Sequence, residues 1–313
     1  MIAGFTDGAC RARRLAARLP GDARIYQIVF LGVLLGAGAL ARDFALRPEQ
    51  MALTFVAGLA TQFAFVRALG LQRVGVLSAV ITCLGLSILL RADTWWAHPL
   101  VAALAIASKF TIRAGGKHLF NPGNLGVIAG VALIPGAWIS PGQWGSDIAS
   151  AVWVVALGTL VASRARRLDT SWIFLACYLG LVAARILWLG YDWAVIVHQL
   201  QNGALLLFAF FMISDPMTTP NHRGARVAHA ALVATTAFAW QYALFIPNGL
   251  VWALFLATPA VPLLDRIFRA ERFNWRDNRA LPNPRATATQ TTQTPRATTI
   301  LHSTIFRDPT LKG

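Results

Sequence analysis

The chain has 313 residues, 56% of them hydrophobic and 13% charged, with a mean hydropathy of +0.55. That is more apolar surface than one soluble core could hide, so the fold class expected is all-α: a polytopic membrane bundle of about ten transmembrane helices, with the lipid bilayer as a partner. A formal charge of +15 would indicate nucleic acid only if the basic residues shared one face with stacking or base-reading groups; they lie instead in short gaps between apolar runs, which excludes nucleic acid and points to orientation in a bilayer.

Residues 1–24 read as a basic cytoplasmic arm, with Arg11, Arg13, Arg14, Arg18 and Arg24 interleaved with Leu and Ala, suited to an anionic leaflet. The following run ends in Ala39-Leu40-Ala41, a small-x-small pattern. A cleaved signal peptide is disfavoured, because the run is long for one and its removal would spoil the topology described next.

Apolar runs recur at 25–41, 51–66, 74–90, 94–107, 125–139, 148–162, 171–190, 194–213, 227–246 and 249–264. Several fall short of the roughly 20 residues an upright span needs, so loop residues extend them or some are half-helices. With the N-terminus inside, the inner gaps hold Arg67 and Arg73, then Lys109, Arg113 and Lys117, then Arg164, Arg166 and Arg167, then Arg223 and Arg226. The outer gaps set Arg42, Arg47 and Arg91 against Asp43, Glu49, Asp93, Asp147 and Asp192. This alternation predicts ten crossings over residues 25–264 and two cytoplasmic termini. Five and five spans imply two inverted five-helix repeats, a plan that places polar segments at broken helices. Residues 265–313 turn basic and then rich in Pro, Thr, Ala and Gln, a composition expected to be a disordered cytoplasmic tail.

Two polar segments break the apolar pattern. Lys117-His118-Leu119-Phe120-Asn121-Pro122-Gly123-Asn124 sits where a helix starts. Asn121 or Asn124 can cap it, Pro122 suits its first position, and the glycines admit a close backbone or a flat ligand. Ser214-Asp215-Pro216-Met217-Thr218-Thr219 ends a hydrophobic run, where an aspartate must cap, pair or bind something. Arg223 and Arg226 are near enough in sequence to be its partners. The two segments are expected to face each other. Candidate ligand contacts are Lys117, Asn121, Asn124, Asp215, Thr218, Thr219 and Arg223.

Other polar groups point elsewhere. His198, Gln199, Gln201 and Asn202 suit interhelical hydrogen bonds, and Arg185 should snorkel beside Trp188 and Tyr191. Haem is not expected, since His198 and His229 fall near opposite faces. Cys10, Cys83 and Cys177 are too scattered for an iron-sulfur cluster or a metal site, and no catalytic residue is assigned.

At the two polar segments the chain resembles the RnfD/NqrB family, whose members are membrane components of the Rnf electron-transport complex and of the sodium-translocating NADH:quinone reductase. Phe120 to Gly126 is similar to its Phe-Asn-Pro-Ala element. Ala209 to Pro216 and Pro220 to Arg226 resemble its Thr-Asp-Pro-Val-Thr and Thr-Pro-Arg-Gly-Arg phrases, with Asn221 and His222 inserted. The resemblance implies a membrane redox subunit with a partner protein, electron transport possibly coupled to ion movement, and a bacterial inner-membrane location.

Family members with covalent FMN carry it on a threonine in the outer loop after the fifth span. The corresponding residues 139–147, Ile-Ser-Pro-Gly-Gln-Trp-Gly-Ser-Asp, contain none. No covalent FMN is therefore expected, and the cofactor implied is a non-covalent flavin, riboflavin or FMN, or a quinone. The short loop resembles that of a stand-alone branch found with enediyne-biosynthesis proteins. The alternative, from another class, is a small-solute or cation transporter or channel on the same scaffold.

Overall fold

A computed structural model of the chain describes residues 22–41, 47–72, 74–140, 148–201 and 203–274. Most of the N-terminal arm, Asn202, residues 141–147 of the threonine-free loop and the tail beyond 274 lie outside the described residues.

The first helix, α1, covers Ala23–Ala41, and α2 covers Pro48–Ala68, with Pro48 in its first turn and Glu49 at the positive end of its dipole. Next come α3 (Val76–Leu89), β1 (Leu90–Ala92), α4 (Ala97–Thr111), a hairpin of β2 (Arg113–Ala114) and β3 (Lys117–His118), α5 (Pro122–Leu133) and β4 (Ala137–Ile139). The rest comprises α6 (Ile148–Arg164), α7 (Leu168–Leu189), α8 (Ala194–Gln201) and α9 (Gly203–Leu207), which runs into a π-helical turn at Phe208–Met212. Then follow α10 (Arg223–Tyr242) and α11 (Gly249–Ala257), continued by a 3-10 turn into α12 (Val261–Ile267).

Each of the ten apolar runs thus falls mainly on helix. Four stretches are long and apolar enough to cross a membrane, namely Ala23–Leu40, Pro48–Ala68, Leu168–Leu189 and Gly249–Ile267, and the bent pair Ala194–Leu200 with Gly203–Met212 makes a fifth among the described residues. The short helices have an evident cause. At 1.5 Å per residue, α3 and α5 extend only about 21 and 18 Å. Both end in extended segments that pair with each other antiparallel, Leu90 opposite Ile139 and Ala92 opposite Ala137. The pairing satisfies backbone groups that a broken helix would leave open.

Two apolar clusters hold the bundle. The larger draws on α1, α3, α6, α7, α9, the π turn, α10 and α11, and the smaller on α3, β1, α4, α5, β4 and α11. Helices α3 and α11 contribute to both. Small residues set the closest approaches: a Cβ on Gly126 would come within 2.9 Å of Ala105 Cβ and Leu86 Cδ2, and one on Gly158 within 2.7 Å of Phe210 Cγ. Such contacts gain dispersion energy where lipid offers little hydrophobic drive between helices. Outward positions stay apolar, with Val33, Trp153 and Leu187 about two-thirds exposed (65%, 66% and 67%). An apolar exterior around a packed helical interior is that of an all-α integral membrane protein.

Polar side chains inside the bundle are partnered along α2. Gln50 donates to the carbonyls of Ala92 and Thr94, Thr54 shares a hydrogen bond with His98 Nδ1, and Gln62 accepts from Lys109 Nζ at 3.0 Å. These residues stand at multiples of four, on one helix face. Arg185 lies over the rings of Tyr191 and Tyr242, at 5.8 and 4.9 Å, and Gln199 donates to the Tyr242 hydroxyl.

Candidate functional site

The first polar segment is shaped by a two-residue hairpin. Ala114 pairs with Lys117 across Gly115 and Gly116, which sit at φ +58° and +84°. Glycine supplies the positive φ that a two-residue hairpin turn requires. The chain returns through His118 to Asn121, whose side-chain Oδ1 accepts from the Asn124 amide at 3.1 Å and caps α5, with Pro122 at its start.

The second segment folds on itself. Asp215 Oδ1 accepts from the Met217 amide at 3.0 Å, closing an Asx turn. The Asp215 carbonyl accepts from the hydroxyls of Thr219, at 2.9 Å, and Thr218, at 3.4 Å. Ser214 donates back to the Phe210 carbonyl, helping to terminate the π turn.

The two segments meet, although about a hundred residues separate them. Asn121 Nδ2 donates to Asp215 Oδ2 at 3.3 Å, His118 Nε2 lies 3.8 Å from the same oxygen, and Lys117 Nζ donates to the Thr219 carbonyl at 2.9 Å. Burial works to raise the Asp215 pKa, but His118, the Met217 amide and Thr218 outweigh it and hold the carboxyl below the usual range. Burial also pushes the Lys117 ammonium down, opposed by its ion pair with Asp265 at 2.9 Å.

Behind the turn lies a charged lattice. Asp265 Oδ1 accepts from the Asn221 amide at 2.8 Å, and the Asn221 carbonyl accepts from Arg226 Nη1 at 2.7 Å. Arg226 also grips Asp169 Oδ2 through Nε and Nη2, at 3.0 and 2.6 Å. Arg167 Nε donates to Thr219 Oγ1 at 2.9 Å; burial and the repulsion of Arg226 bring its guanidinium pKa down to about 10, against the pull of nearby carboxylates. The cations expected to pair with Asp215 therefore serve Asp169: Arg226 closely, and Arg223 at 3.5 Å with its side chain 83% exposed. The cause is helical. Arg223 starts α10, whose first turn faces the start of α7 rather than the Asp215 turn.

Of the seven candidate residues, Asn121 and Asp215 line a cavity of about 560 Å³, together with His118. Its walls include Leu31 of α1, Thr82 and Ile88 of α3, and Phe208 and Phe211 of the π turn. The cavity runs from Asn121 and Asp215 to Phe245, Pro247 and Asn248 in the loop beyond α10, so it follows the length of the bundle. Lys117 and Thr218 line a neighbouring pocket instead. Thr219 is buried in the turn. Asn124 is also buried, and its amide, oriented to satisfy both neighbours, donates to the Val251 carbonyl at 3.1 Å and accepts from the Phe255 amide at 3.2 Å. An uninterrupted α11 would join those two groups to each other, so Asn124 wedges α5 into the α11 ladder.

Sequence reasoning missed Asp265, Arg167 and Asp169. Composition alone puts Asp265 and Arg266 in the tail, yet α12 extends to Ile267, and Phe268 and Phe273 beyond it stack on His222 and lie under Arg167. The signal available is an acid ending an apolar run, the same feature that singles out Asp215. No group of three or more His, Cys, Asp or Glu able to hold a metal occurs among the described residues.

Residues 137–274, from β4 to the last described residue, match the model of the NQR2, RnfD, RnfE family. The chain is similar to proteins whose names give them as the D component of an ion-translocating oxidoreductase complex. The Escherichia coli O6:H1 protein is 28% identical over 175 residues, covering 54% of this chain and 45% of that one. The Haemophilus influenzae (strain PittEE) protein is 32% identical over 73 residues, covering 23% and 20%, and the Tolumonas auensis protein 34% over 68 residues, covering 22% and 20%. The alignments thus span between a fifth and just under half of the curated relatives' length. With the matched region carrying the Asp215 turn and its ion-pair lattice, the chain belongs to the NQR2, RnfD, RnfE family.

Proposed function

We propose that the chain is a membrane redox subunit of the kind its relatives' names describe, and that it seats a non-covalent flavin or a quinone in the cavity beside Asn121 and Asp215. The observation that carries this reading is the cavity itself. At about 560 Å³ it falls within the roughly 300–1,000 Å³ of small-molecule sites, apolar in its walls with a few convergent polar groups at one end.

A flavin or quinone, when bound, supplies the electron chemistry. The residues do the positioning. Asn121 can present its amide to a carbonyl oxygen, while the ionised Asp215 accepts from a ligand N–H or O–H. Thr82 and Ser78 add hydroxyls along one wall, and the phenylalanines of the π turn exclude water. Lys117 and Thr218 shape the Asp215 turn from the neighbouring pocket, while Asn124 and Thr219 hold its frame and Arg223 has no contact with the cavity.

The wider reading places the ten helices as ten crossings in two inverted halves, both termini cytoplasmic, in a bacterial inner membrane. A partner protein would deliver or receive electrons. The length of the cavity also favours a second reading, a path for a small solute or cation with Asp215 as gate. The visible spectrum of detergent-purified protein, followed by titration with riboflavin, FMN and a quinone analogue, separates the two. A flavin band or saturable uptake supports the redox reading. Colourless protein that takes up none of the three overturns it, and solute flux in proteoliposomes would then support the second.

A further inference from the structure

Beside the main cavity, and sharing His118 and Met217 with it as walls, is a second pocket of about 650 Å³. It is lined by Arg113, Lys117, Arg266, Arg269 and Arg272, against the single carboxylate of Asp265. That carboxylate is already occupied, by Lys117 Nζ at 2.9 Å and the Asn221 amide at 2.8 Å. Arg113 donates to the carbonyls of Lys109 and Gly116. Among the described residues, none of Arg113, Arg266, Arg269 and Arg272 makes an ion pair. Arg272 is drawn in over the hairpin turn, where a Cβ on Gly116 would come within 2.5 Å of its Nη1.

Cations that serve only to orient a chain in the bilayer can splay into water, where their mutual repulsion is screened. These converge on one concavity from the hairpin and from the residues after α12, around a buried lysine. Such an arrangement repels itself unless an anion shares it. Guanidinium groups, planar and permanently charged, match the tetrahedral oxygens of a phosphoryl group with paired N–H donors, and an ammonium adds a point charge.

We propose that this pocket is a phosphoryl-anion site, formed by Arg113, Lys117, Arg269 and Arg272 and separate from whatever fills the main cavity. The phosphoryl group can come from free phosphate, from a phosphate ester whose remainder enters the main cavity past His118, or from an anionic phospholipid headgroup.

The test uses the full chain purified in detergent, compared with Arg269→Gln/Arg272→Gln. Both side chains are exposed, so the double variant should fold, which its elution profile and melting temperature check. Binding of orthophosphate, FMN and riboflavin is measured by calorimetry, and retention of phosphatidic acid or phosphatidylglycerol by native mass spectrometry. The expected result is binding of at least one phosphoryl species that weakens tenfold or more in the double variant and falls with added salt. Orthophosphate binding as well as FMN identifies free phosphate; FMN binding at least tenfold tighter than both riboflavin and orthophosphate identifies an ester. Lipid retained by the wild type and lost in the variant, with no soluble anion bound, identifies a headgroup. The proposal is overturned if no phosphoryl species binds, or if the folded double variant binds it as well as the wild type. Riboflavin uptake without phosphoryl binding would overturn this site while leaving the redox reading intact.

Discussion

Lys117 and Asp265, 148 residues apart, form an ion pair at 2.9 Å with side chains only 10% and 21% exposed, and this contact ties the hairpin before α5 to the last turn of α12. Replacing Asp265 with Asn leaves the ammonium without its carboxylate. The expected loss is about 1–3 kcal/mol, less than for a fully buried pair. Thermal unfolding in detergent of Asp265→Asn, Lys117→Met and the double variant measures it. An additive double variant would show that the pair has no coupling.

Asn121 has two separable roles. Serine keeps the cap on α5 but is too short to reach Asp215, whereas alanine loses both. Asn121→Ala should cost about 1 kcal/mol, and Asn121→Ser well under half of that. If Asn121 also contacts the ligand, both variants bind it more weakly. Equal binding by wild type and Asn121→Ser would remove that role.

Asp215 ionises more readily in the folded protein than in the unfolded chain. A depressed carboxylate contributes stability that is fully present above its unfolded pKa, near 4, and is lost as pH falls through the folded value. The melting temperature should therefore drop as pH is lowered below about 4, and Asp215→Asn should flatten that drop. Parallel pH profiles for wild type and variant would contradict the assignment.

The two arginines at the start of α10 should differ sharply. Arg226→Ala removes a buried guanidinium that bonds Asp169 twice and the Asn221 carbonyl once, with an expected loss of about 2–4 kcal/mol. Arg223→Ala, at the surface, should stay within about 0.5 kcal/mol. Urea or thermal unfolding of each variant decides.

Gly126 and Gly32 offer a matched comparison inside helices. A Cβ at Gly126 collides with Ala105 and Leu86, whereas one at Gly32 meets nothing within 4 Å. Gly126→Ala should lose about 1–3 kcal/mol through overpacking. Gly32→Ala should be neutral or gain up to about 1 kcal/mol from helix propensity. Yield and melting temperature read both, and a neutral Gly126→Ala would mean that α3, α4 and α5 can move apart.

Much of the fold is legible in the sequence because lipid-facing helices announce themselves as apolar runs, and all ten runs fall mainly on helix. The meeting of Asn121 with Asp215 is also legible, since both interrupt apolar sequence with residues that need partners. What stays hidden depends on direction rather than composition. Nothing in the spacing of Asp215, Arg223 and Arg226 shows that α10 turns its basic first turn toward Asp169. Asn124 and Asn121 look alike in the sequence, yet one fills a break in α11 and the other reaches a cavity. Asp265 is masked by the basic residues that follow it.

The π turn at Phe208–Met212 has a consequence for register. A π turn encloses one residue more than an α turn, so deleting a single residue there would restore ordinary winding and swing everything downstream by about 100° around the helix axis. Asp215 would then leave Asn121 and point into the packed neighbours. The extra residue is thus a phase shift written into the backbone, and the chain length of this segment sets the aim of the carboxylate as firmly as its chemistry does.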